Sequence, residues 1–186
     1  MEELIDKFSL ERVHKAGAKF DFEKAKWFNH QYILKKDDSE LVPLVRPYVE
    51  AQGLQPDQDY LTRVIGLIKE RCHLLSEFWD QGHFFFRDPE EIDLGAIKDK
   101  WSPAKQDFFV SWAAALDQVG EWTDTMVEKH FTEHLTRHGL KKGEVLLPLR
   151  VMLVGGKYGP GVFHIAEMIG RESTKGRVEK AVRQLS

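Results

Sequence analysis

The sequence predicts an all-α protein, and three observations support this prediction. Apolar residues recur at helical spacing along most of the chain, helix caps and glycines mark the boundaries, and no Asn-Gly hairpin signal interrupts the pattern. The 186 residues are 42 % hydrophobic and 31 % charged, which is typical of a globular protein and excludes intrinsic disorder. We predict two helical subdomains, residues 35–100 and 101–186, preceded by a short mixed segment, residues 1–34.

Polar caps mark the starts of three helices in the first half of the chain. The predicted caps are Asp21, Ser39, and either Asp57 or Asp59. The first helix is predicted to run to about Leu34. Gly53 is predicted to end the second, which Pro47 should bend or shorten.

Residues 87–100 are predicted to form the seam between the two subdomains, because they combine charges with Pro89 and Gly95. Three consecutive phenylalanines, Phe84 to Phe86, precede this seam. Such a run can be a base-stacking platform, but a packed plug under a loop is the favoured interpretation.

In the second half of the chain, the first helix is predicted to start at Ser102, a helix cap that is followed by Pro103 at the first helical position. Further helix starts are predicted at Thr123, about Lys142, Pro160 and Glu172. The predicted stops are Gly120, Gly139, the Gly155-Gly156 pair and Gly170.

Charge is distributed unevenly along the chain. The net charge is −3, but the span from Arg137 to Arg183 holds ten basic and four acidic residues. An acidic body with a basic tail suits docking to a polyanion, and a solvated basic helix face explains the pattern equally well. Taken as an average, the net charge argues against a strongly basic nucleic-acid binder, and DNA is not an expected partner.

The remaining composition narrows the protein class. No stretch approaches the ~18 apolar residues of a membrane span, so no membrane partner is expected. Cys72 is the only cysteine, which excludes an internal disulfide and a cysteine-built zinc site. These features predict a cytoplasmic protein.

His130, Glu133 and His134 match the H-x-x-E-H pattern of zinc hydrolases, in which two histidines bind zinc and the glutamate activates water. A third protein ligand is missing, and imidazoles at this spacing often pack between helices. A zinc hydrolase is therefore a remote alternative, and we expect no metal ligands and no catalytic residues in this chain.

Two arginines stand out near apolar helices. Arg71 lies at the end of a helix, and Arg150 is polar within the apolar run 148–153. Arg150 either bridges two helices through a salt bridge, the favoured interpretation, or projects its donors into a groove. The turn 157–161 precedes a helix whose free N–H groups favour anions.

The chain, including Arg150 and the turn 157–161, resembles the C-terminal, tRNA-binding region of bacterial glutamyl-tRNA synthetases. The resemblance covers essentially the whole chain. The strings that carry it, in the family's order, are Phe8-Ser9-Leu10-Glu11-Arg12-Val13, Phe20-Asp21-Phe22-Glu23-Lys24, Lys26-Trp27-Phe28-Asn29, Glu121-Trp122-Thr123, Pro148-Leu149-Arg150 and Gly159-Pro160-Gly161-Val162-Phe163.

The resemblance implies a fold and a set of contacts. Residues 1–34 correspond to a stem-contact segment, and the two subdomains correspond to an α-helical cage around the anticodon loop of glutamate tRNA. Arg71 corresponds to the arginine that reads the third anticodon base and separates glutamate tRNA from glutamine tRNA. Further anticodon contacts are implied for Arg150, Gly159, Pro160 and Val162. Phosphates would fall on the basic tail, at Lys157, Arg171 and Lys175.

The resemblance also implies what this chain lacks. The family's nucleotide-binding domain carries HIGH-like and KMSKS-like motifs, and neither is present in this sequence. We therefore expect a fragment without the catalytic domain, which needs no cofactor itself, while ATP and Mg²⁺ serve the parent enzyme. A helical protein–protein interaction module with an incidental basic tail is the main alternative.

Overall fold

The computed structural model describes residues 20–185, and within this range every regular secondary-structure element is a helix, which confirms the predicted fold class. The α-helices are α1 (Phe22–Lys35), α2 (Asp38–Glu50), α3 (Gln58–Ile68), α4 (Glu77–Gly82), α5 (Gly95–Lys98), α6 (Pro103–Ala115), α7 (Asp124–His138), α8 (Lys142–Val154), α9 (Val162–Ile169) and α10 (Arg171–Leu185). Short 3₁₀ turns extend α3, α4 and α6. Most of the predicted stem-contact segment lies outside the described residues, and its described part is helical from Phe22.

Local polar contacts explain where most helices begin. The side chain of Asp21 accepts a hydrogen bond from the Lys24 backbone N–H, as predicted for the start of α1. The predicted Ser39 cap is wrong, because Asp37 is the N-cap of α2 and its backbone N–H donates to Glu40 Oε2 at 3.0 Å, so the helix starts earlier. Asp57 rather than Asp59 caps α3.

The second half follows its predicted boundaries closely. Ser102 caps α6 and Thr123 caps α7 through their side chains. Gly139 and Gly155 end α7 and α8 in the left-handed conformation, with φ of 65° and 86°, which disfavours any side chain. Pro160 does not open α9, which begins at Val162 after Gly161.

One hydrophobic cluster runs through both predicted subdomains. In the first half α2 packs on α3, and in the second half α6 packs on α10 and α7 on α9. Phe84 and Phe85 are 0 % and 5 % exposed, so the phenylalanine run is a packed plug, as favoured from the sequence. The subdomain boundaries remain a prediction.

Arg177 ties the two halves together. It is 4 % exposed, and its Nη1 and Nη2 donate to the carbonyls of Leu153 (2.6 Å) and Phe84 (2.9 Å). Its Nε donates to Asp88 Oδ1 at 2.8 Å.

Among the helices of residues 20–185, none has the length and hydropathy that crossing a membrane requires.

Candidate nucleic-acid interface

Arg71 is placed by helix α1, although it lies in the 3₁₀ turn Lys69–Arg71 that follows α3. His30 Nδ1 donates to the carbonyl of Cys72 at 2.9 Å, and Asn29 donates to the carbonyl of His73. These bonds satisfy two backbone acceptors immediately after Arg71. The arginine therefore sits on a short segment that is fixed by a neighbouring helix.

The Arg71 side chain is exposed and free. It makes no hydrogen bond and no ion pair with any residue in the range 20–185. A guanidinium with five unengaged N–H donors in solvent is available for a ligand.

Arg150 is held by a turn of its own chain. Its Nη1 donates to three consecutive backbone carbonyls, those of Tyr158 (3.1 Å), Gly159 (2.8 Å) and Pro160 (2.6 Å). No described carboxylate pairs with it, so the salt bridge favoured from the sequence is wrong. Nε and Nη2 of Arg150 donate to no described acceptor, which leaves one edge of the guanidinium free.

The two arginines form a cation pair, the name used below for Arg71 and Arg150. Burial lowers the pKa of Arg150, and the nearby positive charge of Arg71 lowers it further. Neither arginine has a described carboxylate to offset this repulsion. Two like charges without a counter-ion create a positive potential that favours an anionic partner.

The turn that holds Arg150 is shaped by glycine. Gly159 has a φ of 98°, and a Cβ there would lie 3.2 Å from Cζ of Phe84. Gly159 and Pro160 are buried, and Val162 is only 5 % exposed. These residues therefore shape the turn and present its carbonyls to Arg150, while their own side chains offer little surface to a ligand.

Comparisons with known proteins fit this geometry. The family model described as "Anticodon binding domain" matches residues 40–182. The chain belongs to this family. Residues 20–39, which include α1 and its contacts to the Arg71 segment, lie outside the matched range.

The curated relatives are longer than this chain. Glutamate–tRNA ligases of Flavobacterium psychrophilum and Flavobacterium johnsoniae are each 41 % identical over 185 residues, which is 100 % of this chain and 37 % of each ligase. A crystal structure of a glutamate tRNA ligase from Elizabethkingia meningosepticum, in complex with its amino acid, matches with a TM-score of 0.89 and 34 % identity over 100 % of this chain. The chain also covers 37 % of that structure.

Within this anticodon binding domain, the three basic residues predicted to contact phosphates differ in availability. Lys157 is exposed and has no described partner. Lys175 forms an ion pair with Asp117 at 2.8 Å. Arg171 donates to the carbonyls of Val119 and Gly120. Only Lys157 is free to meet a phosphate without breaking an internal contact.

The histidines of α7, which are His130, His134 and His138, lie where the helix packs in this domain. His134 is 6 % exposed, and its Nε2 lies 2.9 Å from Oγ of Ser111 on α6. Nε2 of His138 lies 3.1 Å from the same oxygen, while Glu133 is exposed. Within residues 20–185, no group of three or more His, Cys, Asp or Glu residues could hold a metal ion. The structure therefore offers the zinc alternative no support.

Sequence reasoning missed the aromatic residues beside the turn. Tyr158 is 39 % exposed, and its hydroxyl forms a 2.9 Å hydrogen bond with His83 Nε2. The available signal was an aromatic residue inside a Gly/Pro-rich turn that precedes a helix. His83 and Trp79 belong to a different part of the sequence, so no local pattern connects them to Tyr158.

Proposed function

We propose that this chain is the anticodon-binding part of a glutamate–tRNA ligase and that the cation pair contacts the anticodon bases. The observation that carries the proposal is that Arg71 lies near enough to Arg150 for its positive charge to lower the pKa of Arg150, while neither guanidinium has a described carboxylate partner. Two like charges held near each other repel, and an anionic ligand relieves this repulsion. An RNA loop supplies the compensation through its phosphates and its base-edge acceptors.

The free edges of the two guanidiniums suit base recognition. Anticodon bases are single-stranded, so their Watson–Crick edges are open to planar, forked donors. Arg150 is prevented from swinging away because three carbonyls hold its Nη1. We assign to Arg71 the reading of the third anticodon base, which distinguishes glutamate tRNA from glutamine tRNA.

The proposed arrangement gives each region a role. Residues 35–100 and 101–186 form the two helical parts of the anticodon cage, and residues 1–34 contact the tRNA stem. The hydrogen bonds from α1 to the segment after Arg71 support this role, because they couple the N-terminal helix to the cage. Lys157 is the best-placed backbone contact, ahead of Arg171 and Lys175.

The parent activity is the ATP-dependent joining of glutamate to its tRNA in the cytoplasm. The chain spans 37 % of the length of the curated ligases it matches. We therefore place ATP, Mg²⁺ and glutamate on the remaining part of such a ligase. The chain by itself should bind tRNA without activating glutamate, and DNA should not compete.

The test is binding of glutamate tRNA to Arg150→Ala and Arg71→Ala, with Arg183→Ala as a matched control. Arg183 is exposed on α10 and has no described partner. Each cation-pair variant should weaken binding of glutamate tRNA by about five- to 150-fold, since a base-edge contact is worth about 1–3 kcal/mol. Equal affinities for all three variants would leave only non-specific attraction and would refute the proposal.

One observation favours the interaction-module alternative. Five aromatic side chains of the first described residues and α1 are 47–76 % exposed, and they are Phe20, Phe22, Trp27, Phe28 and Tyr32. An apolar surface of this kind can mark a protein contact. Failure of the wild-type chain to bind tRNA would leave this alternative as the better supported one.

A further inference from the structure

A groove of about 420 Å³ includes Tyr158, a residue of the turn that holds Arg150, in its lining. We call it the seam groove. Three aromatic side chains, Trp79, His83 and Tyr158, contribute to its walls, and Glu90 and Glu91 also line it. It combines residues from the first half, the seam and the turn after α8, so no single sequence segment reveals it.

Tyr158 presents a ring that is already fixed in place. Its hydroxyl is bonded to His83 Nε2 (2.9 Å), and its ring meets Phe84 edge-on, with the centroids 6.0 Å apart. The ring lies so close to Gly156 that a Cβ there would be 2.7 Å from Tyr158 Cε1. Because the ring is held before binding, stacking a planar ligand on it costs little side-chain entropy.

Trp79 and His83 make the facing surface suitable for an uncharged planar group. Trp79 stacks on Phe86 with ring centroids 6.2 Å apart, and its Nε1 donates to no described acceptor. Burial lowers the pKa of His83, which keeps the imidazole neutral at pH 7. The groove therefore offers aromatic surface and an unused N–H donor.

The free carboxylates of the groove disfavour a phosphate. Glu90 and Glu91 have no described hydrogen-bond or ion-pair partner. The one arginine in the lining, Arg87, donates to the carbonyl of Gln52. Free carboxylates accept hydrogen bonds and repel anions, so they favour a ligand with N–H donors.

We propose that the seam groove takes one unstacked base of the anticodon loop, stacked on Tyr158, with its exocyclic amino group directed at Glu90 or Glu91. This inference rests on the proposed function and extends it by adding a stacking subsite beside the cation pair. Single-stranded RNA is commonly recognised by stacking splayed bases on aromatic rings. Arg150 connects the two sites, because it donates to the carbonyl of Tyr158 itself.

A thermodynamic cycle tests the subsite. An anticodon stem-loop of glutamate tRNA is prepared with an abasic site at each loop position in turn, and each RNA is titrated with the wild-type chain and with Tyr158→Ala. At one position, the abasic site and Tyr158→Ala should each weaken binding by about ten- to 100-fold. The two changes together should weaken it no further, because each removes the same stacking contact.

Two matched variants show whether stacking is the cause. Tyr48 on α2 is 38 % exposed, against 39 % for Tyr158, so Tyr48→Ala removes an equally exposed ring elsewhere and should leave the affinity unchanged. Tyr158→Phe keeps the ring and removes the hydroxyl, so it should bind almost like the wild type. A loss in Tyr158→Phe as large as that in Tyr158→Ala would overturn the stacking assignment.

The outcomes separate this inference from the proposed function. One outcome refutes the subsite and leaves the proposed function standing. In this outcome the wild-type chain binds the stem-loop, but at every loop position the fold-losses caused by Tyr158→Ala and by the abasic site multiply, which shows that the two changes act independently. If the wild-type chain does not bind, both fail. A measurement on the wild type alone guards against misfolding of variants: 2-aminopurine at the stacked loop position should lose fluorescence on binding, and no loss at any position overturns the inference.

Discussion

Arg177 and Arg150 lie on helices that pack against each other, yet their surroundings differ. Arg177 is 4 % exposed, pairs with Asp88 and uses all three of its nitrogens internally. Arg150 has no described carboxylate and uses only Nη1, while Arg71 nearby uses none of its nitrogens. Arg177 therefore completes the fold, whereas the cation pair leaves donors and charge for a partner.

The comparison shows that the count of basic residues in a segment does not measure its capacity to bind RNA. The basic tail holds ten Lys and Arg residues, but Arg177, Arg171 and Lys175 are engaged within the protein. Arg71 lies far upstream of the tail and is free. The partners of each cation, rather than its position in the sequence, decide its role.

The largest expected effect comes from Arg177. Arg177→Ala should lower the free energy of unfolding by about 3–5 kcal/mol, because it leaves buried carbonyls and Asp88 without their donor. Arg183→Ala, on the exposed side of the same helix, should change it by less than about 0.5 kcal/mol. Urea denaturation followed by circular dichroism measures both. A decrease in the free energy of unfolding of less than about 1 kcal/mol for Arg177→Ala would contradict the structural role given to Arg177.

A smaller effect is expected from His134, a buried polar group that is neutral. Burial, together with the neighbouring groups His138, His130 and Arg137, lowers the pKa of His134 to about 4, from an ordinary value of 6.5. The unfolded chain therefore binds more protons between these values, and stability should fall as the pH drops from 6.5 towards 4. Denaturation curves at pH 7 and pH 4.5 should differ by roughly 2 kcal/mol from this group.

The control for this prediction is His134→Leu, which removes the titrating ring from the contact between α6 and α7. Its stability should depend less on pH in the same window, with the residual slope coming from His83 and His130, whose pKa values burial also lowers. An unchanged pH dependence in His134→Leu would contradict the assignment.

The smallest effect separates a free lysine from a paired one. Lys157→Ala should reduce the slope of log affinity against log salt by about 0.7–0.9, the value for one phosphate contact. Lys175→Ala should leave the slope nearly unchanged, because Lys175 is bound to Asp117. Titrations of glutamate tRNA at several salt concentrations measure both slopes. A larger change for Lys175→Ala would reverse the ranking of these two residues.

Much of the fold could be predicted from local chemistry. Asp21, Ser102 and Thr123 cap helices because their side chains reach backbone N–H groups three residues ahead, a relation that the sequence itself contains. Local hydrogen bonding also explains why the prediction of Ser39 as the cap of α2 is wrong. The side chain of Glu40 accepts from the backbone N–H of Asp37, so α2 starts two residues before the predicted cap Ser39 allows.

The candidate site was less predictable, for physical reasons. The resemblance located Arg71 and Arg150, but the partners of Arg150 are backbone carbonyls, which every residue carries and no sequence pattern marks. The partners of Arg171 and Lys175 lie more than 50 residues away in the chain. Whether a cation is free or engaged is a tertiary property.

The most direct test of the central claim is discrimination at the third anticodon base. The affinity of the wild-type chain is measured for glutamate tRNA and for the same tRNA with that base changed from C to G, and both titrations are repeated with Arg71→Ala. The wild type should prefer the unaltered tRNA by about five- to 150-fold. Arg71→Ala should lose most of this preference, because its affinity falls for the unaltered tRNA and changes little for the altered one. Equal binding of both tRNAs by the wild type, or an equal loss on both in Arg71→Ala, would contradict the assignment of the cation pair to base reading.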